Sequence, residues 1–397
     1  MTNVVFDLSN MFFRSMYIVG GYGSKNYTFD DQFEVNQLMR KIATDISFII
    51  RQTNPSRIIF ALDSRSWRKN ISIDENEGYK ANREKSEYIN WDNVFNVMRE
   101  FGNIMNESGF IKTQIENAEA DDIIALWRDE LLFKQNQHVI MISADEDVRQ
   151  LTAFWPWEKG KLAFSTVFNP FATGKKAAKK LYVPDHFNEW LNNSESGDIF
   201  NRAIDVDKED FLRLRDSENM VIEEVNGNFI ALKKIFCGDD GDNVPAIYSW
   251  IAKDDQGNPK INKRTGEPRV DRITNTKFIK IVEAIGAKDY LDLGEKADLI
   301  KEHLATFSGE QPPFDMLERL DRQFKLVVLA RTVFPEEIVQ TFDEEVKKQL
   351  ARPNVRPQDW NMSTLLEGTQ YVDSSGRDTG NESSIFREVD RLNKELF

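Results

Sequence analysis

Carboxylates recur along this chain in five short motifs. The first, residues 6–10, carries Asp7; the second centres on Asp63 and is followed by the basic run 79–83 with Tyr79, Lys80 and Arg83. The third, residues 118–122, carries Glu119 and Asp121; the fourth, residues 143–147, carries Asp145 and Asp147; the fifth, residues 238–245, carries Asp239 and Asp242. Taken singly, each has an ordinary reading as a helix cap, an acidic helix start or a Gly/Asp turn. Taken together, they could crowd carboxylates into one place, which is unfavourable unless cations neutralise them. Oxygen donors of this kind suit Mg2+ or Mn2+. Two such ions about 3.5–4 Å apart can clamp the attacking and leaving oxygens of a phosphodiester. That chemistry needs no histidine base, and the chain has only His138, His186 and His303. With a single cysteine, Cys237, it has neither an internal disulfide nor enough soft ligands for a usual zinc site.

These acids need elements to position them. Residues 4–7, 57–63 and 138–145 are apolar runs that each end in an aspartate, as buried strands of a parallel sheet would. Between them, residues 37–52 place Leu38, Ile42, Ile46, Ile49 and Ile50 at helical spacing, and residues 92–105 do the same with Val94, Phe95, Met98, Phe101 and Met105. Alternating strand and helix predicts an α/β domain with a mostly parallel central sheet, whose chemistry gathers at the carboxyl ends of the strands. Glu119 and Asp121 stand where a helix begins, and extended backbone after the third strand would turn Asp145 and Asp147 to one side. Residues 67–86 read as a polar surface loop or arch. Residues 160–225 read as an insertion with a basic cluster at Lys175, Lys176, Lys179 and Lys180. A helix is expected over 276–285 and another over 317–333, then a linker over 370–384 and an amphipathic segment over 386–397.

The length of 397 residues allows two or three domains. The expected divisions are 1–235, an α/β nuclease domain with an arch at about 64–90 and an insertion at about 160–225; 236–335, a helical region; and 336–397, a C-terminal extension. No apolar run is long enough to cross a bilayer, and the first residues lack a basic signal region, so a cytoplasmic location is expected. The net charge of −14 argues against a phosphate-bearing partner, but a binding face needs only a local excess. Residues 254–280 supply one: Lys260, Lys263, Arg264, Arg269, Arg272, Lys277 and Lys280 against Asp254, Asp255, Glu267 and Asp271, or 7 − 4 = +3.

In this order the five motifs resemble the flap endonuclease or 5′-nuclease family, and within it the ribonucleases H of T-even phages. The resemblance covers roughly residues 1–155 and 233–290. It implies a PIN-like 5′-nuclease fold with a helix-three-turn-helix-like duplex-binding region, and two Mg2+ ions for which Mn2+ may substitute. It places one ion on Asp7, Asp63, Glu119, Asp121 and Asp145, and the other on Asp121, Asp147, Asp239 and Asp242. It gives Tyr79, Lys80 and Arg83, on a helix, a role at the reacting phosphate. Lys263, Arg264, Arg269, Lys277 and Lys280 would hold nucleic acid. Where the family continues into a Gly-x-Gly hairpin with a potassium ion, residues 246–250 differ, which implies an altered element. The implied activity is 5′-to-3′ exonuclease and flap endonuclease action on branched or nicked DNA and RNA/DNA duplex, removing lagging-strand RNA primers in phage DNA replication, as a monomer. A sliding clamp or single-strand-binding protein is the expected partner of residues 386–397. Two alternatives stay open: a PIN-type ribonuclease on structured RNA, and a non-catalytic DNA-junction binding module.

Overall fold

Six consecutive residues, Thr2–Asp7, form the strand β1, and Val4, Val5 and Phe6 within it are fully buried because the sheet is covered on both faces. It lies between two parallel neighbours, β2 (Arg57–Ala61) and β4 (His138–Ile142), with Val4 opposite both Ile58 and Ile140. The computed structural model describes residues 2–20, 28–53, 55–73, 78–83, 86–158, 161–171, 179–187 and 220–352. The expected linker and amphipathic segment over 370–397, and Lys175 and Lys176, lie outside them.

The chain divides into two units. The first comprises residues 1–65, 85–225 and 335–397; the second comprises 66–84 and 226–334. In the first, β3 (Ile111–Thr113), β5 (Ala153–Glu158), β6 (Lys161–Asn169), β7 (Lys179–Pro184) and β8 (Met220–Val225) complete a sheet of order β3-β2-β1-β4-β6-β7-β8, with β5 paired to β6. All pairings are parallel except β5–β6 and β6–β7. The sheet is therefore mostly parallel, as expected, and part of the stretch that read as an insertion extends it.

The helices α1 (Leu8–Val19), α2 (Gln32–Thr53) and α3 (Trp91–Glu107) cover the sheet through the residues their spacing picked out, with Leu38, Ile42, Ile46, Phe101 and Met105 all buried. Phe60 stacks on Phe6 at 5.0 Å and meets Phe101 edge-on at 6.3 Å. The helix α4 (Ala120–Arg128) runs on into a π turn, Asp129–Lys134. Sheet growth matters most for the site. From β1 the chain builds β2 and β3 to one side, then crosses back to place β4 on the other. The carboxyl ends of β1 and β4 thus flank the topological switch point, where a parallel sheet opens a crevice.

The second unit is built from α5 (Gly227–Cys237), a hairpin of β9 (Ser249–Ile251) and β10 (Val270–Arg272), α6 (Asn275–Ile285), α7 (Ala297–Ser308) and α8 (Met316–Val327). Its core includes Leu232, Ile235, Phe236, Phe278, Ile281, Ile300, Leu304 and Leu320. Two expectations are corrected here. The helix expected over 317–333 stops at Val327, because Val328 turns extended. The described part of the supposed arch is no free surface loop. Trp67 and Arg68 are buried, Arg68 donates to the Lys325 carbonyl at 3.1 Å, and Ile73 and Tyr79 join the core of this unit. Four anchors scattered through a polar run leave no periodicity to read. The last described helix, α9 (Glu336–Leu350), belongs to the first unit, where Phe342 meets Trp127 edge-on at 5.3 Å. Among the described residues no helix is long and apolar enough to cross a membrane.

Candidate metal centre

Asp7 ends β1 and caps α1, so its carboxylate is fixed at the switch point. One oxygen accepts from the Asn10 amide at 2.9 Å and the other from the Ser143 hydroxyl, just past β4, at 2.8 Å. Ser143 also accepts from the Asp145 amide at 3.1 Å, and the Asn10 side chain accepts from the Ala144 amide at 3.2 Å. This lacing ties the ends of β1 and β4 together. On the other side, the buried Ser9 hydroxyl accepts from the Asp63 amide at 3.1 Å, and the Asp63 carboxylate accepts from the Ala120 amide at 2.6 Å. Asp63 is thereby set against the start of α4, beside Glu119 and Asp121. The buried Asp122 fixes that start by accepting from the Glu119 amide at 3.1 Å.

The electrostatics follow from this crowding. Burial, together with the negative charges of Asp63 and Asp145, pushes the Asp7 carboxyl up to about 7 against two hydrogen bonds that lower it. Asp147 departs from expectation: the strand geometry does not persist past β4. Asp147 starts a 3-10 turn, Asp147–Leu151, and its amide donates to the Asp145 carboxylate at 2.9 Å. A local side chain–backbone bond competes successfully with extension here.

The second unit holds Asp239 and Asp242 in a loop closed on itself. The Asp239 and Val244 amides donate to each other's carbonyls, both at 2.8 Å. Gly238 enters the loop at φ 74°, and a Cβ there would lie 2.3 Å from the Val244 carbonyl oxygen, so no other residue fits. Burial works to raise the Asp239 carboxyl. The hydrogen bond and charge of Lys234, 2.5 Å away, and the Gly241 amide outweigh it and hold the group below the usual carboxylate range. Asp242 accepts from the Tyr79 hydroxyl at 2.9 Å, pairs with Arg83, and lies 3.5 Å from the Lys80 ammonium.

The helix expected at residues 79–83 is absent: these residues form a turn, with Lys80 left-handed at φ 59° and its amide bonded to the Asp242 carbonyl at 2.9 Å. The Tyr79 ring is buried, and its hydroxyl is what reaches Asp242. Sequence reasoning missed Ser143, Asn10 and Lys234 as partners of the acids. Ser143 and Asn10 stood inside the quoted motifs, and Lys234 precedes Asp239 by less than two helical turns.

With this geometry in place, the comparisons can be weighed. Residues 2–159 match the family model of the 5′-3′ exonuclease N-terminal resolvase-like domain. Over those residues the chain is similar to the N-terminal domain of 5′-3′ exonucleases. The match spans all six acids of the first unit singled out above. No curated protein matches the chain. Solved structures that resemble it include a T5 protein co-crystallized with metal ions, at 15% identity and TM-score 0.49, covering 88% of this chain and 99% of that one. The T5 5′-exonuclease with zinc bound, and a bacteriophage T5 flap endonuclease in a pseudo-enzyme-product complex with DNA and metal ions, each show 15% identity, TM-score 0.48 and the same coverage. The likeness to this family rests on residues 2–159.

Proposed function

We propose that this protein is a divalent-metal-dependent 5′-nuclease, with 5′-to-3′ exonuclease and flap endonuclease activity on DNA and RNA/DNA duplexes, of the kind that removes lagging-strand RNA primers. One observation carries the reading: the carboxylates of Asp7, Asp63 and Asp145 come together at the switch point of a parallel sheet, close enough for the last two to act electrostatically on the first. The donors are all oxygens, which fits a hard divalent cation such as Mg2+ and not a soft metal. Asp7, Asp63, Glu119, Asp121, Asp145 and Asp147 are the proposed ligands of the first unit, and on motif grounds Asp239 and Asp242 are proposed too.

When bound, the ions would supply hydroxide at neutral pH and neutralise charge on the transferring phosphate. The chain's own residues have three tasks. Ser143, Asn10 and the Ala120 amide hold the Asp7 and Asp63 carboxylates in fixed orientations, so little reorganisation remains at the moment of reaction. Asp7 must lose its proton before its oxygens can serve as ligands. Lys80 and Arg83 carry positive charge that can pass from Asp242 to a phosphate as charge builds there.

The test is a cleavage assay with Mg2+ on three 5′-labelled substrates: a DNA flap, an RNA/DNA hybrid and an RNA hairpin. Cleavage of the first two at their 5′ ends, with the hairpin spared, is expected. Preferential cleavage of the hairpin would point to a structured-RNA nuclease, and binding without cleavage would point to a silent junction-binding module.

A further inference from the structure

Asp147 opens a turn of five residues, Asp147–Leu151, wound as a 3-10 helix. Such a turn has poor hydrogen-bond geometry and keeps its shape best where other parts of the chain brace it. Its far end is braced twice. The Leu151 carbonyl accepts from the Ser165 hydroxyl of β6 at 2.6 Å and from the Arg128 guanidinium of α4 at 3.3 Å. Within the turn, the Arg149 carbonyl accepts from the Thr152 hydroxyl at 3.0 Å. At its start, the Asp147 amide bonds the carboxylate of Asp145, itself one of the clustered acids.

The Arg149 side chain adds a brace of another kind. Its guanidinium carbon lies 4.0 Å from the centre of the Tyr182 ring, on β7. Glu146 lies 3.2 Å from the same guanidinium, but its side chain is 75% exposed, and an exposed ion pair holds little. Tyr182 is 2% exposed, so its ring meets the cation largely out of water, where this attraction is strongest. The strand that carries the ring is itself fixed between two others. Tyr182 lies opposite Val167 of β6 on one side and Glu223 of β8 on the other. Glu223 pairs with Lys180 at 2.6 Å, so that carboxylate is engaged within the two strands. Both strands come from the stretch whose composition reads as an insertion.

We propose that Tyr182 is a positioning residue for the metal centre: by stacking on Arg149 it holds the turn in the shape that presents Asp147 to a divalent cation. Neither side chain is assigned a contact with the cation or the phosphodiester. The inference rests on the nuclease reading, in which Asp147 is a ligand, and gives the added strand β7 a part in it. Loss of the ring lowers the share of molecules whose turn is ready to bind, and apparent metal affinity falls with that share. DNA binding without metal has no such dependence.

The experiment is a Mn2+ titration of the full chain, with free Mn2+ read by electron paramagnetic resonance. Melting temperature and affinity for a 5′-flap DNA in EDTA are measured alongside. The parent is compared with Tyr182→Phe, Tyr182→Leu, Arg149→Leu, and Tyr182→Leu with Arg149→Leu together. Tyr182→Phe keeps the ring and should titrate as the parent does. Tyr182→Leu and Arg149→Leu are each expected to raise the half-saturating Mn2+ concentration by about five- to tenfold, the size of a desolvated cation–π contact. The double variant should raise it no further, since the two side chains act as one contact. Flap affinity in EDTA should stay at the parent's value throughout. Arg149→Leu leaves the Tyr182 ring in the core, so it carries the test even if Tyr182→Leu does not fold. An unshifted Mn2+ titration in Arg149→Leu, whatever its melting temperature, would overturn the inference. So would additive shifts in the double variant, or a Tyr182→Phe titration shifted like that of Tyr182→Leu. Flap affinity in EDTA that falls with Arg149→Leu would also overturn it, by making Arg149 a phosphate contact. A parent that binds no Mn2+ would overturn the metal-centre reading and this inference with it.

Discussion

Asp7 and Asp145 are where the account is most exposed at the scale of single residues. The fold raises the Asp7 carboxyl to about 7, well above the usual carboxylate range, chiefly through burial. A folded-state value raised above the unfolded one means that the folded chain binds more protons between those limits. The stability Asp7 contributes is therefore full below about pH 4 and is lost as pH rises through about 7, by on the order of a few kcal/mol. Thermal melts without metal should show the parent losing stability over that window more steeply than Asp7→Asn; parallel curves would contradict the burial argument. Asp145→Asn keeps an oxygen for the Asp147 amide while removing one crowded charge, so metal-free stability should be equal or higher. Lys80 is a different case. Its left-handed backbone, uncommon for lysine, costs about 1–3 kcal/mol and is held by the bond to the Asp242 carbonyl. Lys80→Ala should lower the single-turnover rate at saturating enzyme far more than it weakens binding, as a contact made mainly in the transition state must. A change in binding alone would make Lys80 a docking contact.

Among the elements, the strand ends of the first unit and the loop 238–244 of the second each hold their own acids, by opposite means. The strand ends are held by side chains, through Ser143, Asn10 and Ser9; the loop is held by backbone, through the paired amides of Asp239 and Val244. Gly238→Ala should accordingly destabilise the second unit by about 1–3 kcal/mol from its backbone conformation, and more from the collision with the Val244 carbonyl. A melting temperature unchanged by this substitution would mean that the loop is not closed as described. The first unit was legible in the sequence because its acids lie on contiguous motifs next to apolar runs, and 37–52 and 92–105 carried clean helical spacing. What escaped was held by contacts that leave no pattern. The 79–83 turn is set by Asp242, far along the chain, and the stretch 252–269 by backbone bonds that any polar sequence could make.

For the whole molecule, the sequence conveyed the class of chemistry before it conveyed the architecture. The carboxylate motifs of the first unit lie tens of residues apart, and the sheet order explains why Asp7 and Asp145 come together, since β1 and β4 flank the reversal of sheet growth. The net charge of −14 gave little guidance, because it averages over the chain while residues 254–280 hold seven cations against four acids. The domain limits were harder to read, since residues 66–84 group with 226–334 and residues 335–352 group with the first unit, each far away along the chain. The central claim is that the cluster around Asp7, Asp63 and Asp145 is a metal-dependent nuclease centre. Its most direct test is single-turnover cleavage of a 5′-labelled DNA flap by the parent and by Asp145→Asn, each with Mg2+ and with EDTA. The account predicts labelled product only from the parent and only with Mg2+, while Asp145→Asn stays folded with a melting temperature at or above the parent's. Cleavage in EDTA, or turnover by Asp145→Asn near the parent rate, would contradict it.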